Sequence, residues 1–270
     1  MPLFQTHSKP VTAMAERPIP FIAPMVRAIL DGRKTQTRRV LKGYWQQTLE
    51  GHDRVKTWFA PSHIPKEGIP NQWAQSGIWA EKWGPRGYNR FLGFCPYRPG
   101  DRLWVREAWR TWRDDDELSP TDIRRIWQEM PPEGDHDRPD VRFEADGAFL
   151  HGAPRTTFSP GRLRAGRHLL REFSRITLAV TQVRVERLQD ISEADAIAEG
   201  PGFVGKHSGE VCESVAAHRL GGPRWRNARD WYADLWDSIH RPGAWDANPW
   251  VCVISFNVLQ PTAEHIGRAA

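Results

Sequence analysis

The sequence predicts an α+β fold built around a small barrel or curved sheet, and three observations predict it. Short alternating strand patterns are scattered among short helical ones over 270 residues, with no repeated strand–helix unit. The mix of 39% hydrophobic and 26% charged residues is that of a globular chain and excludes wholly disordered, collagen-like and coiled-coil classes. No apolar run reaches the roughly 18–20 residues of a membrane helix.

Each element follows from a local signal. Residues 1–19 read as a disordered tail without pattern and without a signal-peptide core. PMVRAILD (24–31) reads as a helix, with Pro24 suited to its first position and Gly32 to the residue past its end. Met25, Val26 and Ile29 would face inward. GRKTQTRRVL reads as a loop leading into a strand. Residues 43–98, rich in Trp, Gly and Pro, read as a long insertion.

The turn Pro99-Gly100-Asp101 precedes a strand, RLWVRE, with Leu103 and Val105 on one face and Trp104 and Arg106 on the other. Residues 111–172 read as a second insertion. It carries an acidic cluster, Asp114 to Glu117, and opens a basic segment, GRLRAGRHLLREFSR. ITLAVTQVRVER (176–187) is the clearest strand. Its apolar parity shifts near Thr181–Gln182, which predicts a bulge. DISEADAIAEG predicts a short helix capped by Asp190 or Ser192 and ended by Gly200. NARDWYADLWDSI predicts a helix capped by Asn227, with Trp231, Leu235 and Ile239 in the core. WVCVISF (250–256) predicts a strand buried on both faces. Residues 259–270 read as a tail.

The chain carries a net charge of +5 from 31 Arg and 7 Lys against 33 acids. Such a balance favours contact with phosphates, where the planar guanidinium fork excels. It also fits a GC-rich genome, so charge alone supports only nonspecific attraction. Within the basic segment, Arg162, Arg164, Arg167 and Arg171 are the candidates for nucleic-acid contact. Of the 14 Trp, Trp45, Trp58, Trp73, Trp79 and Trp83 lie in the first insertion, where they either stack on bases or glue loops to a core. Cys95, Cys212 and Cys252 are far apart and form no CxxC pair. A reduced, cytoplasmic protein with no metal and no cofactor is the expectation. No Walker loop, GxGxxG, HExxH or GxSxG is present.

The densest chemistry is Gly32-Arg33-Lys34-Thr35-Gln36-Thr37-Arg38-Arg39, of the form G-x-K-x-x-T-x-R. It resembles the signature of the ASCH family, usually G-x-K-x-x-E-x-R. PMVRAILDGRKTQTRRV, GDRLWVREAW, ITLAVTQVRVERLQDISEADAIAEG and WDANPWVCVISF together look like the phage and prophage branch of ASCH-containing proteins. The resemblance covers residues 21–42, 99–110 and 174–257. It implies a PUA-like small β-barrel over residues 20–258, interrupted by the two insertions, and a link to RNA.

Thr37 stands where most of the family has Glu. A small bacterial ASCH subfamily shares that Thr and hydrolyses the acetyl amide of 4-acetylcytidine with a Lys, a Thr and a Glu. By resemblance these fall on Lys34, Thr37 and Glu199, the last placed by the I-S-E helix start at 191–193. Gly32, Arg33, Arg38 and Arg39 would complete the substrate site. The resemblance thus implies RNA or a nucleoside as partner, in a cleft lined by Lys34, Thr37, Arg39 and Glu199. The alternatives are a hydrolase of a modified nucleoside or nucleic acid, and a phage-associated protein-interaction module. For hydrolysis, either Glu199 is the base and Lys34 stabilises the oxyanion, or Lys34 sits dry enough to lose its proton. No membrane contact is expected, and the oligomeric state stays open.

Overall fold

The computed structural model describes residues 15–41, 78–83, 88–129, 140–150, 159–204, 211–212 and 224–259; within these, 78–94, 203–212 and 224 are described as backbone only. The fold is α+β. Its centre is a five-stranded sheet of β1 (Glu16–Pro20), β5 (Arg102–Arg106), β8 (Thr177–Arg187), β12 (Trp250–Leu259) and β2 (Gln36–Val40), in that spatial order. β1 runs parallel to β5, and the other neighbours are antiparallel. No ladder joins the edge strands β1 and β2 among the described residues, so the sheet is open. Pro18 and Pro20 lack the N–H groups a ladder there would use. The sheet nevertheless curls far enough for Arg39 on β2 to donate to the Pro20 carbonyl of β1 at 2.6 Å.

β12 is buried on both faces, as its continuous apolar run predicts. Cys252, Ile254 and Phe256 join an inner core with Ile19, Leu103, Val105, Leu178 and Val180, beside α1 (Ala23–Leu30). Val251 and Val253 face an outer core with Leu188, Trp231, Tyr232 and Trp236. The predicted bulge in β8 is present: Ser255 pairs with Gln182 and Phe256 with Val180, which leaves Thr181 over.

The remaining strands form smaller sheets. These are the hairpin β3 (Ile78–Trp83) with β4 (Tyr88–Phe94), the pair β6 (Trp109–Arg110) with β7 (Arg142–Phe143), and β9 (Phe203–Val204), β10 (Val211–Cys212) and β11 (Arg224–Trp225). The second insertion is more than a surface excursion. With α2 (Pro120–Glu129) it builds its own core of Trp109, Ile123, Val141, Phe143, Leu150, Leu169 and Phe173.

α3 (Glu193–Ala198) and α4 (Ala228–His240) flank β12 on the outer side. Ser192 caps α3 by accepting from the Asp195 N–H, and Asn227 caps α4 by accepting from the Asp230 N–H. The Glu193 carboxylate accepts from the Ala228 and Arg229 N–H groups at 2.6 and 3.2 Å. That tie fixes α4 against α3 through the unpaired donors of a helix start.

Three expectations are corrected. Residues 16–19, expected as tail, are strand together with Pro20. A two-proline pentapeptide has no strand pattern of its own, and β5 supplies its partner. Ile239 is 40% exposed; the buried face of α4 runs through Ala228, Trp231, Tyr232 and Trp236 instead. β12 extends one residue into the expected C-terminal tail, to Leu259. Residues 1–14 and 260–270 of the expected tails lie outside the described residues.

Candidate functional site: a buried lysine–glutamate–arginine chain

The site forms where the loop after α1 meets the end of α3. Gly200, the residue past α3, has φ +89, and a Cβ there would lie 2.8 Å from the Ala28 Cβ and 2.9 Å from the Lys34 Cβ. Only glycine fits both the left-handed backbone and the close approach. The loop is pinned by the Lys34 N–H donating to the Ala28 carbonyl and the Thr35 N–H donating to the Ala198 carbonyl, each at 2.9 Å. Glu199 is thereby delivered to Lys34 from 165 positions away.

The Lys34 ammonium donates to the Glu199 carboxylate through Oε2 and, at 3.1 Å, to the Glu199 main-chain carbonyl. Arg38 Nη1 donates to Glu199 Oε1 at 3.0 Å. Arg38 Nη2 reaches Glu186 at 2.7 Å and Asp195 at 3.3 Å. Arg184 closes the network, bonding Glu186 at 3.1 Å and Asp195 at 2.7 Å. Gln36 donates to the Asp195 carbonyl and carboxylate at 2.6 and 3.0 Å.

Alternation along β2 splits its side chains. Thr37 pairs with Ile254 and Arg39 with Cys252, on the inner face; Arg38 pairs with Val253, on the outer face. The Phe21 ring lies under both inner cations, 5.0 Å from the Arg39 guanidinium and 5.8 Å from the Lys34 ammonium. Tyr232 of α4 lies on the outer side, its ring 5.8 Å from the Arg38 guanidinium.

Burial sets the electrostatics. Lys34 and Glu199 are each 1% exposed and Thr37 is 2% exposed. Desolvation pushes the Lys34 proton affinity below the usual lysine range. The Glu199 charge opposes that shift, and Arg39 and Arg38 add to it. Burial also works against the charge of Arg38, but Glu199 and Glu186 outweigh it and raise its proton affinity. Tyr232 is pushed well above the usual tyrosine value, first by burial and then by the Glu199 charge. Buried charges persist only when paired and hydrogen-bonded, and this chain meets that condition for each carboxylate.

The predicted residues thus divide. Lys34 and Glu199 meet, and Arg38 joins them from the other side. Thr37 is buried on the next strand position inward, and its hydroxyl makes no hydrogen bond to either among the described residues. Arg33 pairs with Asp31 and donates to the Gly200 and Pro201 carbonyls at 3.0 and 2.7 Å, a clamp on the loop that Gly32 begins. Arg164 is 6% exposed, stacked 5.3 Å from Trp109 and donating to the Leu118 and Asp115 carbonyls. That corrects its reading as a phosphate contact: its donors hold the turn at 115–118. Arg171 pairs with Glu16. Arg162 and Arg167 keep exposed side chains without an acidic partner among the described residues.

Sequence reasoning missed Glu186, Arg184, Gln36, Phe21 and Tyr232. The alternating Arg184 and Glu186 in VRVER were a visible signal, while Phe21 and Tyr232 looked like ordinary core. Trp45, Trp58 and Trp73 lie outside the described residues, and Trp79 and Trp83 are described by backbone alone. Among the described residues no cluster of His, Cys, Asp or Glu is placed to hold a metal ion, and no helix is long and apolar enough to cross a membrane. No family model matches the chain, and comparison with curated proteins and with solved structures returns no match.

Proposed function

We propose that this chain is an ASCH-type domain of PUA-like build that binds RNA or a nucleoside, one base entering at Lys34, Thr37, Arg39 and Glu199. The observation that carries the reading is the buried Lys34–Glu199 pair, brought together from distant positions beside Thr37 and Arg39. Lys34 and Arg39 offer donors to base carbonyls, Thr37 a hydroxyl, and Glu199 an acceptor for an exocyclic amine. Three of the four are almost fully buried and only Arg39 is partly exposed. That arrangement suits a single inserted base, with any RNA backbone left outside. The curl that brings β1 and β2 within reach of one arginine supports the PUA-like build.

The test is titration of cytidine and of labelled single-stranded RNA into the wild-type chain and into Thr37→Val, with thermal melts as a folding control. Binding that weakens at least tenfold in a folded Thr37→Val supports the site. RNA binding that survives unchanged would place the interface elsewhere on this basic surface.

A second reading, hydrolysis of 4-acetylcytidine, is favoured by the dry environment of Lys34. Half-neutral lysine near pH 7.4 requires a drop of about three pKa units, about 4 kcal/mol. Burial works in that direction, and Arg38 draws part of the Glu199 charge away from Lys34. Neutral Lys34 would take the Thr37 proton as the hydroxyl oxygen adds to the acetyl carbonyl. Cytidine then leaves, its amine taking that proton from Lys34, and water releases acetate from the threonine ester and restores the hydroxyl. Chromatography of 4-acetylcytidine after incubation with wild type and Thr37→Val decides it: cytidine formed by the first and not the second supports hydrolysis, and no cytidine from either excludes it.

A further inference from the structure

We infer that the ligand of this site carries an anionic oxygen, held by Arg39, and that the site therefore prefers a nucleotide phosphate to a neutral nucleoside. The inference rests on the binding reading above and deepens it.

The charge balance is the starting point. Lys34, Arg38, Arg39 and Arg184 face Glu186, Asp195 and Glu199. Three of the cations have a carboxylate within salt-bridge distance, and Arg39 has none among the described residues. The acidic groups around it offer no free charge. Burial raises the proton affinity of Tyr97 and Tyr232, hydrogen bonding with Cys95 and burial raise that of Cys252, and all three stay neutral at pH 7. Glu199 is already shared by Lys34 and Arg38.

The donor geometry points the same way. The one hydrogen bond Arg39 makes among the described residues runs from Nη2 to the Pro20 carbonyl at 2.6 Å. Its Nε is buried and has no partner among the described residues. The unpartnered Nε–H and the second N–H of Nη2 are the donors left on that side of the guanidinium for an anionic oxygen. Phe21 supports the guanidinium plane from below at 5.0 Å. On the same strand face Thr37 presents a hydroxyl, and the Lys34 ammonium approaches the same ring. Two cations and a hydroxyl gather there with a single, already engaged carboxylate, and Arg39 is partly open to solvent.

Calorimetry of the full chain at low salt tests this with three probes: inorganic phosphate, cytidine and cytidine 5′-monophosphate. The monophosphate is expected to bind at least tenfold tighter than cytidine, with phosphate competing. Arg39→Gln should bring the monophosphate down to the level of cytidine, and Arg39→Lys should restore only part of the difference. Arg125→Gln, on the exposed face of α2, controls for general surface charge and should change nothing. Equal affinity for cytidine and its monophosphate overturns the inference and leaves the binding reading standing. Arg39-dependent phosphate binding with no contribution from the nucleoside does the reverse. Failure of both phosphate and the monophosphate to bind also overturns it. The wild-type comparison alone is decisive if Arg39→Gln does not fold.

Discussion

Glu199→Gln is the substitution that most directly probes the buried network. The amide keeps the shape of the carboxylate but removes the charge that neutralises Lys34. Arg38 retains Glu186 and Asp195, so the loss falls mainly on Lys34, whose side chain is 0% exposed. Removing one partner of a buried ion pair costs about 3–5 kcal/mol. Lys34 can limit that cost by releasing its proton, which from an unperturbed pKa costs about 5 kcal/mol at pH 7. The two routes agree, and the variant should be less stable by about 3–5 kcal/mol at pH 7.

The sign with pH follows from linkage. Lys34 already holds its proton less tightly folded than unfolded, and losing Glu199 depresses that affinity further. The unfolded variant then binds the proton that the folded one lacks, so stability falls as pH falls from the unfolded lysine value towards the depressed folded one, and levels off below it. Raising the pH from 7 to 9 should recover up to about 1.4 kcal/mol per unit. Urea unfolding at the two pH values measures this. Lys34→Met in the Glu199→Gln background removes the stranded cation and should recover most of the loss. A destabilisation below about 1 kcal/mol at pH 7, which is ordinary surface behaviour, would refute the reasoning. So would a pH-independent loss that Lys34→Met fails to relieve.

Three further outcomes are expected. Absorbance titration of tyrosinate should show Tyr97 and Tyr232 ionising above the usual value, and Tyr232→Phe should remove the higher of the two steps. Gly200→Ala should destabilise by about 1–2 kcal/mol from the left-handed backbone alone, with the contact to Lys34 adding to it; a melt unchanged from wild type would mean the loop relaxes freely. Arg164→Ala should lower the melting temperature by several degrees, as loss of a buried, carbonyl-bound cation does in a domain this size. Arg167→Ala, exposed and with no acidic partner among the described residues, should leave it within a degree; equal shifts would contradict the different burial of the two.

Interactions spanning a few residues are legible in the order of the residues alone. Ser192 and Asn227 announce helix starts because a cap bonds to an N–H three positions on. The bulge at Thr181 shows as a change of apolar parity because side chains alternate along a strand. Lys34 and Glu199 are picked out only by resemblance to a family signature, since neither spacing nor periodicity links positions so far apart.

Helix caps, turn signals and the apolar runs of β8 and β12 are therefore settled by the chain's own sequence, because the groups that interact there are neighbours along it. Tertiary packing alone decides that Glu16–Pro20 is a strand, that Arg164 faces inward and that Arg38 joins Glu199 from the opposite side of β2. Each of these depends on a partner more than forty positions away, and burial makes that partner obligatory: a strand edge, a guanidinium or a carboxylate removed from water must find its complement wherever the fold brings one.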